Sequence, residues 1–182
     1  MMHLVKGSLL ESNVDFICHQ VNCQGKMNSG IAKAIREKWP IVYTNYMAKF
    51  DAMRESTVKM CGCFTEMANS MNISEFMLGD IQVVGLWEDY ETDVKHQSVI
   101  NMFAQQHYGY DGRRYTSYDA FWKCLGAIKD IVPKGSSIGF PDHIGSCRGG
   151  ANWEVIKTMI EQVLGEDYEV FIYIWEGEKD AK

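Results

Sequence analysis

Short apolar runs alternate with amphipathic stretches along the whole chain. The strand-length runs are "HLVK", "DFICHQV", "IQVVGLW", "SVINMF", "SSIGF" and "VFIYIW". Several are continuously apolar, the pattern of strands covered on both faces. Helical spacing fills the gaps. "GIAKAIREKW" puts Ile31, Ala34, Ile35 and Trp39 on one face, and Pro40 either stops that helix or opens the next, "IVYTNYMAKF". Thr116 with Asp119 predicts a capped start for "SYDAFWKCLGAIKDI", and Asn152 predicts an N-cap for "WEVIKTMIEQVL". The stretch 64–76 is ambiguous and is read as helix. Strands alternating with helices predict an α/β fold. With no repeat or linker-like segment, one domain is expected over 1–176, with a solvated tail at 177–182.

Composition narrows the function. Apolar residues make up 46% and charged residues 23% of the 182 residues, the balance of a globular domain. The formal net charge of −6 and the absence of a basic run argue against a nucleic acid polymer as partner. No signal-peptide pattern or membrane-length apolar run is visible, so no membrane association is expected. The six cysteines, Cys18, Cys23, Cys61, Cys63, Cys124 and Cys147, then read as reduced thiols of a cytoplasmic protein. Cys61-Gly62-Cys63 lacks CxxC spacing and a second ligand pair, so neither a metal nor a cofactor is expected.

Two glycine loops carry the candidate chemistry. "VNCQGKMNSGIAKAI" has Gly25 and Gly30 at the spacing of a nucleotide-triphosphate loop, but Ile31 and Ala32 replace the Lys and Ser/Thr that would hold a γ-phosphate and magnesium. "SIGFPDHIGSCRGGANW" repeats the strand, glycine turn, helix layout. Neither has the dinucleotide-fold pattern GxGxxG. Two such loops facing one crevice would hold a diphosphate by backbone N–H groups and helix dipoles, without net positive charge.

These stretches, with "VKGSLLES", "VINMFAQQHYGYDGRRYTSYDAFWKCLGAI" and "VFIYIW", resemble the macro domain over nearly the whole chain. The resemblance is strongest to the branch that includes ADP-ribose 1''-phosphate phosphatases and related phage and bacterial proteins. It implies a three-layer α/β/α fold around a mixed sheet of about six strands, with a cleft for ADP-ribose or a derivative and no metal. Asn22 matches the asparagine beside the distal ribose. Gly25, Lys26, Met27, Asn28, Ser29, Gly30, Ile31 and Ala32 match the first phosphate loop. Ile144, Gly145, Ser146, Cys147, Arg148, Gly149 and Gly150 match the second. Tyr173 matches an aromatic near the adenine, although a half-buried strand tyrosine is the alternative.

The departures bear on function. Ser8, with Leu9 beside it, stands where many relatives have an adenine-binding Asp, so adenine selectivity should weaken. Asn28 replaces a usual glycine, and asparagine tolerates the left-handed backbone such a turn needs. Cys147 and Arg148 replace small or apolar residues.

A Lys–Asp pair used by a glycohydrolase branch is missing, with Phe103 or Ala104 and Gly149 in its place. His19, and Asn22 near the scissile bond, match the phosphatase branch, where a histidine would position water or protonate a leaving group. The alternative for His19 is a core histidine. Arg113 and Arg114 could clamp a terminal phosphate or form a solvated turn, and Asp142 and His143 are spare acid–base candidates.

Two functions remain open. One is a metal-independent, monomeric phosphomonoesterase acting on ADP-ribose 1''-phosphate. The other is a non-catalytic module that binds an ADP-ribose-type nucleotide. A glycohydrolase ranks third.

Overall fold

The computed structural model describes residues 2–61, 76–86, 97–109 and 111–177. The ambiguous stretch 64–75, Gly62 and Cys63, Trp87 and the tail 178–182 lie outside the described residues. All six expected strands form, as β1 (Met2–Lys6), β2 (Phe16–Asn22), β3 (Ile81–Leu86), β4 (Gln97–Gln105), β5 (Ser137–Pro141) and β6 (Glu169–Ile174). They build one sheet in the order β1-β6-β5-β2-β4-β3. Every neighbouring pair is parallel except β3 with β4, so the sheet is mixed.

The helices are α1 (Gly30–Lys38), α2 (Pro40–Cys61), α3 (Tyr118–Ile131) and α4 (Trp153–Leu164), and Leu9–Glu11 makes one 3-10 turn. Pro40 opens α2, which its fixed φ and missing N–H suit. The helix runs about three turns beyond the expected "IVYTNYMAKF", to Cys61. Val42, Tyr46, Phe50, Met53 and Thr57 keep a three-and-four spacing toward the sheet, so the buried stripe continues. No described helix is long and apolar enough to cross a membrane.

Side-chain alternation along β2 shows the layers. Ile17 and Val21 point into a core shared with Ile35 of α1 and Tyr46 of α2. Cys18 points the other way, toward Phe121 and Leu125 of α3 and Ile156 and Ile160 of α4. Helices therefore cover both faces, and the architecture is α/β/α.

One expected cap is corrected. Ser117, not Thr116, caps α3, its hydroxyl accepting from Ala120 N at 3.2 Å. Thr116 instead donates to Gly145 O at 2.8 Å, and an isolated bridge to Gln105 holds its backbone one residue before the cap. Asn152 caps α4 as expected, accepting from Glu154 N at 2.9 Å. Replacing Ser117 by Ala should lower unfolding free energy by about 1 kcal/mol, the usual worth of a cap. A chemical-denaturation midpoint unchanged from wild type would show that the cap contributes nothing.

Candidate functional site

The crevice originates in the pairing of β2 with β5. Their ladder spans only Phe16↔Ile138 and Ile17↔Gly139. At its amino end Asp15 Oδ2 accepts from Ser137 N at 2.8 Å and Ser137 Oγ at 2.6 Å, clamping the strands together. Beyond Ile17, β2 continues its pairing with β4, and β5 continues with β6. The two carboxyl ends part. The chain leaving β5 goes through α4 to β6, whereas the chain leaving β2 goes the other way, to β3 and β4. This is a topological switch point, the place where open α/β sheets bind ligands.

Both glycine loops leave the sheet on either side of that gap. The first folds around Asn22. Its Oδ1 accepts from Gln24 N at 2.9 Å and Lys26 N at 3.3 Å, and its Nδ2 donates to Lys26 O at 2.6 Å. The buried Tyr46 hydroxyl donates to Asn22 O at 2.7 Å, and burial pushes that phenol well above its usual pKa. Gly25 and Gly30 take φ of 72° and 54°, which a glycine adopts without strain.

The expected left-handed turn at Asn28 does not occur. Its backbone keeps negative φ and its side chain accepts from Arg36 Nη1 at 2.7 Å. Ser29 makes no side-chain cap, unlike Ser117 and Asn152. The first backbone bond of α1 is Lys33 N to Ser29 O, so the N–H groups of Gly30, Ile31 and Ala32 precede it uncapped.

The second loop is held from below. Gln20 Nε2 donates to Gln105 Oε1 at 2.6 Å and to Thr116 Oγ1 at 2.8 Å, and Thr116 passes the link on to Gly145 O. Tyr115 N and Thr116 N both donate to Gly149 O at 2.9 Å. A methyl group on Gly149 would collide with Thr116 Oγ1 and Gly145 O, and one on Gly145 would lie 2.7 Å from Gln20 Oε1. Close approach, then, demands these glycines. The buckle of Gln20, Gln105 and Thr116 is formed by residues far apart in the chain. Its one trace in the sequence is a glutamine next to a histidine inside an apolar strand.

Other expected residues are distributed unevenly. Lys26, Gly30, Cys147, Arg148 and Gly150 are exposed at the loops, and Ser29, Ile31, Ala32 and Ser146 are half-buried. Leu9, Met27 and Ile144 are core residues, so they support the loops and do not line them. Ser8 caps the 3-10 turn through Leu10 N at 3.2 Å, and with Phe171 and Tyr173 it lines a hollow of about 510 Å³ that extends to Ser137 and Glu169 at the amino ends of β5 and β6. Asp142 and His143 pair at 2.7 Å, and His143, at φ 57°, stacks on Trp153. Arg113 pairs with Asp111, and Arg114 lies over the Tyr118 ring.

His19 is the main correction. The ring is fully buried on the α1/α2 face, between Ile17 and Val21, and has no surface to offer a ligand. Its Nε2 lies 2.6 Å from Asn101 Oδ1, Asn101 Nδ2 donates to Gln82 Oε1 at 3.0 Å, and Gln82 Nε2 donates to Asn45 O at 2.8 Å. The backbone carbonyl at the end of this chain can only accept, which orients each amide in turn and makes His19 Nε2 the donor. Burial lowers the pKa to about 4, the Asn101 bond only partly opposing it. At neutral pH the ring is therefore a neutral, enclosed strut. Asn22, expected near the scissile bond, likewise has its amide committed to shaping the first loop.

The His19 strut gives a pH signature. Unfolded, the ring takes its proton near pH 6.5; folded, it does so only near pH 4. Between those values the unfolded chain binds more protons, so stability rises with pH across the window and is lost as pH falls through it, by roughly 3 kcal/mol in all. His19→Gln should flatten this slope in urea unfolding measured from pH 4.5 to 7. Equal slopes in variant and wild type would contradict the assignment.

No family model and no curated protein matches the chain at the sequence level. Solved structures do. The macrodomain of Thermus aquaticus DarG superposes with a TM-score of 0.60 at 22% identity, covering 97% of this chain and 99% of that one. Thermosipho africanus DarTG in complex with ADP-ribose gives 0.64 at 16% identity, covering 98% of this chain and 43% of that longer one. The Trypanosoma brucei macrodomain in complex with ADP-ribose gives 0.54 at 14% identity, covering 97% and 64%. With its mixed sheet, its two helical layers and loops set at the switch point, the chain has the macrodomain fold.

Proposed function

We propose that the protein binds ADP-ribose or a close derivative across the gap between β2 and β5. The observation that carries this is the uncapped first turn of α1 at the mouth of that gap. The other two helices that begin near the crevice each spend a side chain on their own N–H groups, and α1 leaves its donors for a ligand. Such donors, with the helix dipole behind them, suit a diphosphate. The fold neighbours that hold ADP-ribose support the identity of that diphosphate.

Hydrolysis of ADP-ribose 1''-phosphate is the finer reading. It required an imidazole at the reacting phosphate, and His19 is enclosed. What the crevice offers is a set of converging backbone donors, which stabilise a bound phosphate and any charge that develops on it. Binding is thus the function the geometry supports best. Phosphate release from the 1''-phosphate is the measurement that would extend it to turnover.

Titration calorimetry should show ADP-ribose binding and ATP failing to bind, since Ile31 and Ala32 stand where the lysine and hydroxyl that grip a γ-phosphate and its magnesium would be. Gly30 has open space where a side chain would begin. Gly30→Glu should weaken ADP-ribose at least about 100-fold by placing a carboxylate against the phosphates. Gly30→Ala meets the same backbone strain at φ 54° without the charge, so it should lose much less affinity than the Glu variant. Wild-type affinity in the Glu variant would move the phosphate site away from α1.

A further inference from the structure

We infer that the crevice also takes the diphosphate ribose of a 6-keto purine, with hypoxanthine in place of adenine, because Ser8 leaves the choice of base open. The inference rests on the ADP-ribose reading of the crevice and extends it to the base. Gly139 fixes where the base would lie. It forms the last rung of the β2–β5 ladder, the point at which the gap opens. A methyl group on it would lie 2.7 Å from Leu9 Cδ1 and 3.4 Å from Tyr173 Cε2. The turn that begins at Ser8 and the Tyr173 ring therefore meet over the foot of the gap. A base at this end of the diphosphate would rest on the Tyr173 ring, and a ring face accepts any purine.

Selection between purines falls to the polar wall of the hollow. Adenine presents an amino donor where hypoxanthine presents a keto acceptor. A carboxylate, which only accepts, would hold the first and repel the second. Neither carboxylate of the wall is placed to do so. Glu11 is engaged by Lys38 at 2.6 Å. Glu169 stands at the amino end of β6, about 13 Å along the strand from Tyr173. Lys6, the one cation of the wall, is engaged by Glu176 at 2.8 Å. Ser8 is left to meet the base edge. Its Oγ accepts from Leu10 N at 3.2 Å, which uses one lone pair and leaves the second lone pair and the proton. By rotating, the hydroxyl donates to a keto oxygen or accepts from an amino group. Ser12 Oγ, in the same wall, is buried without a partner among the described residues, a second hydroxyl that no protein group directs.

The test is the ratio of affinities for ADP-ribose and inosine diphosphate ribose, measured by calorimetry on the full chain. Wild type should bind the inosine ligand no more than about threefold more weakly than ADP-ribose, the scale of one neutral hydrogen bond. Ser8→Asp keeps a good cap on the 3-10 turn, so the fold should hold. It should open a preference for ADP-ribose of at least about tenfold, the scale of a hydrogen bond to a charged group. Taking the ratio within each variant cancels any general loss of affinity that the added charge causes. A larger wild-type preference for adenine, or a Ser8→Asp ratio equal to that of wild type, would overturn the inference while ADP-ribose binding stood. If neither ligand bound wild type, the ADP-ribose reading and this inference would fall together.

Discussion

Everything at the candidate site follows from how briefly β2 and β5 stay paired. The clamp of Asp15 on Ser137 holds their amino ends, and the ladder stops after Ile17 and Gly139. Each strand keeps its other neighbour, so only the backbone groups that face the gap lose ladder partners where the two part. A gap opens that a nucleotide can enter, and the chain connectivity aims two loops and one helix N-terminus at it. Gly139 shows how closely the clamped end is packed. A methyl group there would lie 2.7 Å from Leu9 Cδ1 and 3.1 Å from Val14 Cγ2.

Two polar networks keep the gap in shape from opposite faces. On the α1/α2 face His19, Asn101 and Gln82 run across three strands to the α2 backbone. On the α3/α4 face Gln20, Gln105 and Thr116 fasten the second loop. Buried amides cost desolvation, but once paired in series they fix strand register and loop position more narrowly than apolar contacts do. His19 Nδ1 and Gln20 Oε1 remain buried without a protein partner. The two adjacent residues thus put one imidazole and one amide to structural use on opposite sides of the sheet.

Much of this was legible in the residues. Six strands, the opening of α2 at Pro40 and the Asn152 cap follow from periodicity and local chemistry alone. Both glycine loops were identifiable because turn, spacing and following helix are all local signals. The misreadings share a different cause. His19 and Thr116 are polar residues whose partners lie far along the chain, and a sequence shows the group without its partner. His19 looks like a spare imidazole until Asn101, 82 residues away, is placed beside it. Thr116 looks like a helix cap until Gly145 claims its hydroxyl. Asparagine at position 28 suits a left-handed backbone, yet among the described non-glycine residues only His143 adopts one.

The central claim is that the ligand's phosphates sit on the first turn of α1, between the two loops and clear of the His19 network. Backbone amide chemical shifts recorded through an ADP-ribose titration test it most directly. The account predicts large downfield shifts at Gly30, Ile31 and Ala32, accompanying changes from Gly145 to Gly150, and little movement at His19, Asn101 and Gln82. Saturable shifts confined to other surfaces, with the α1 amides unmoved, would contradict it.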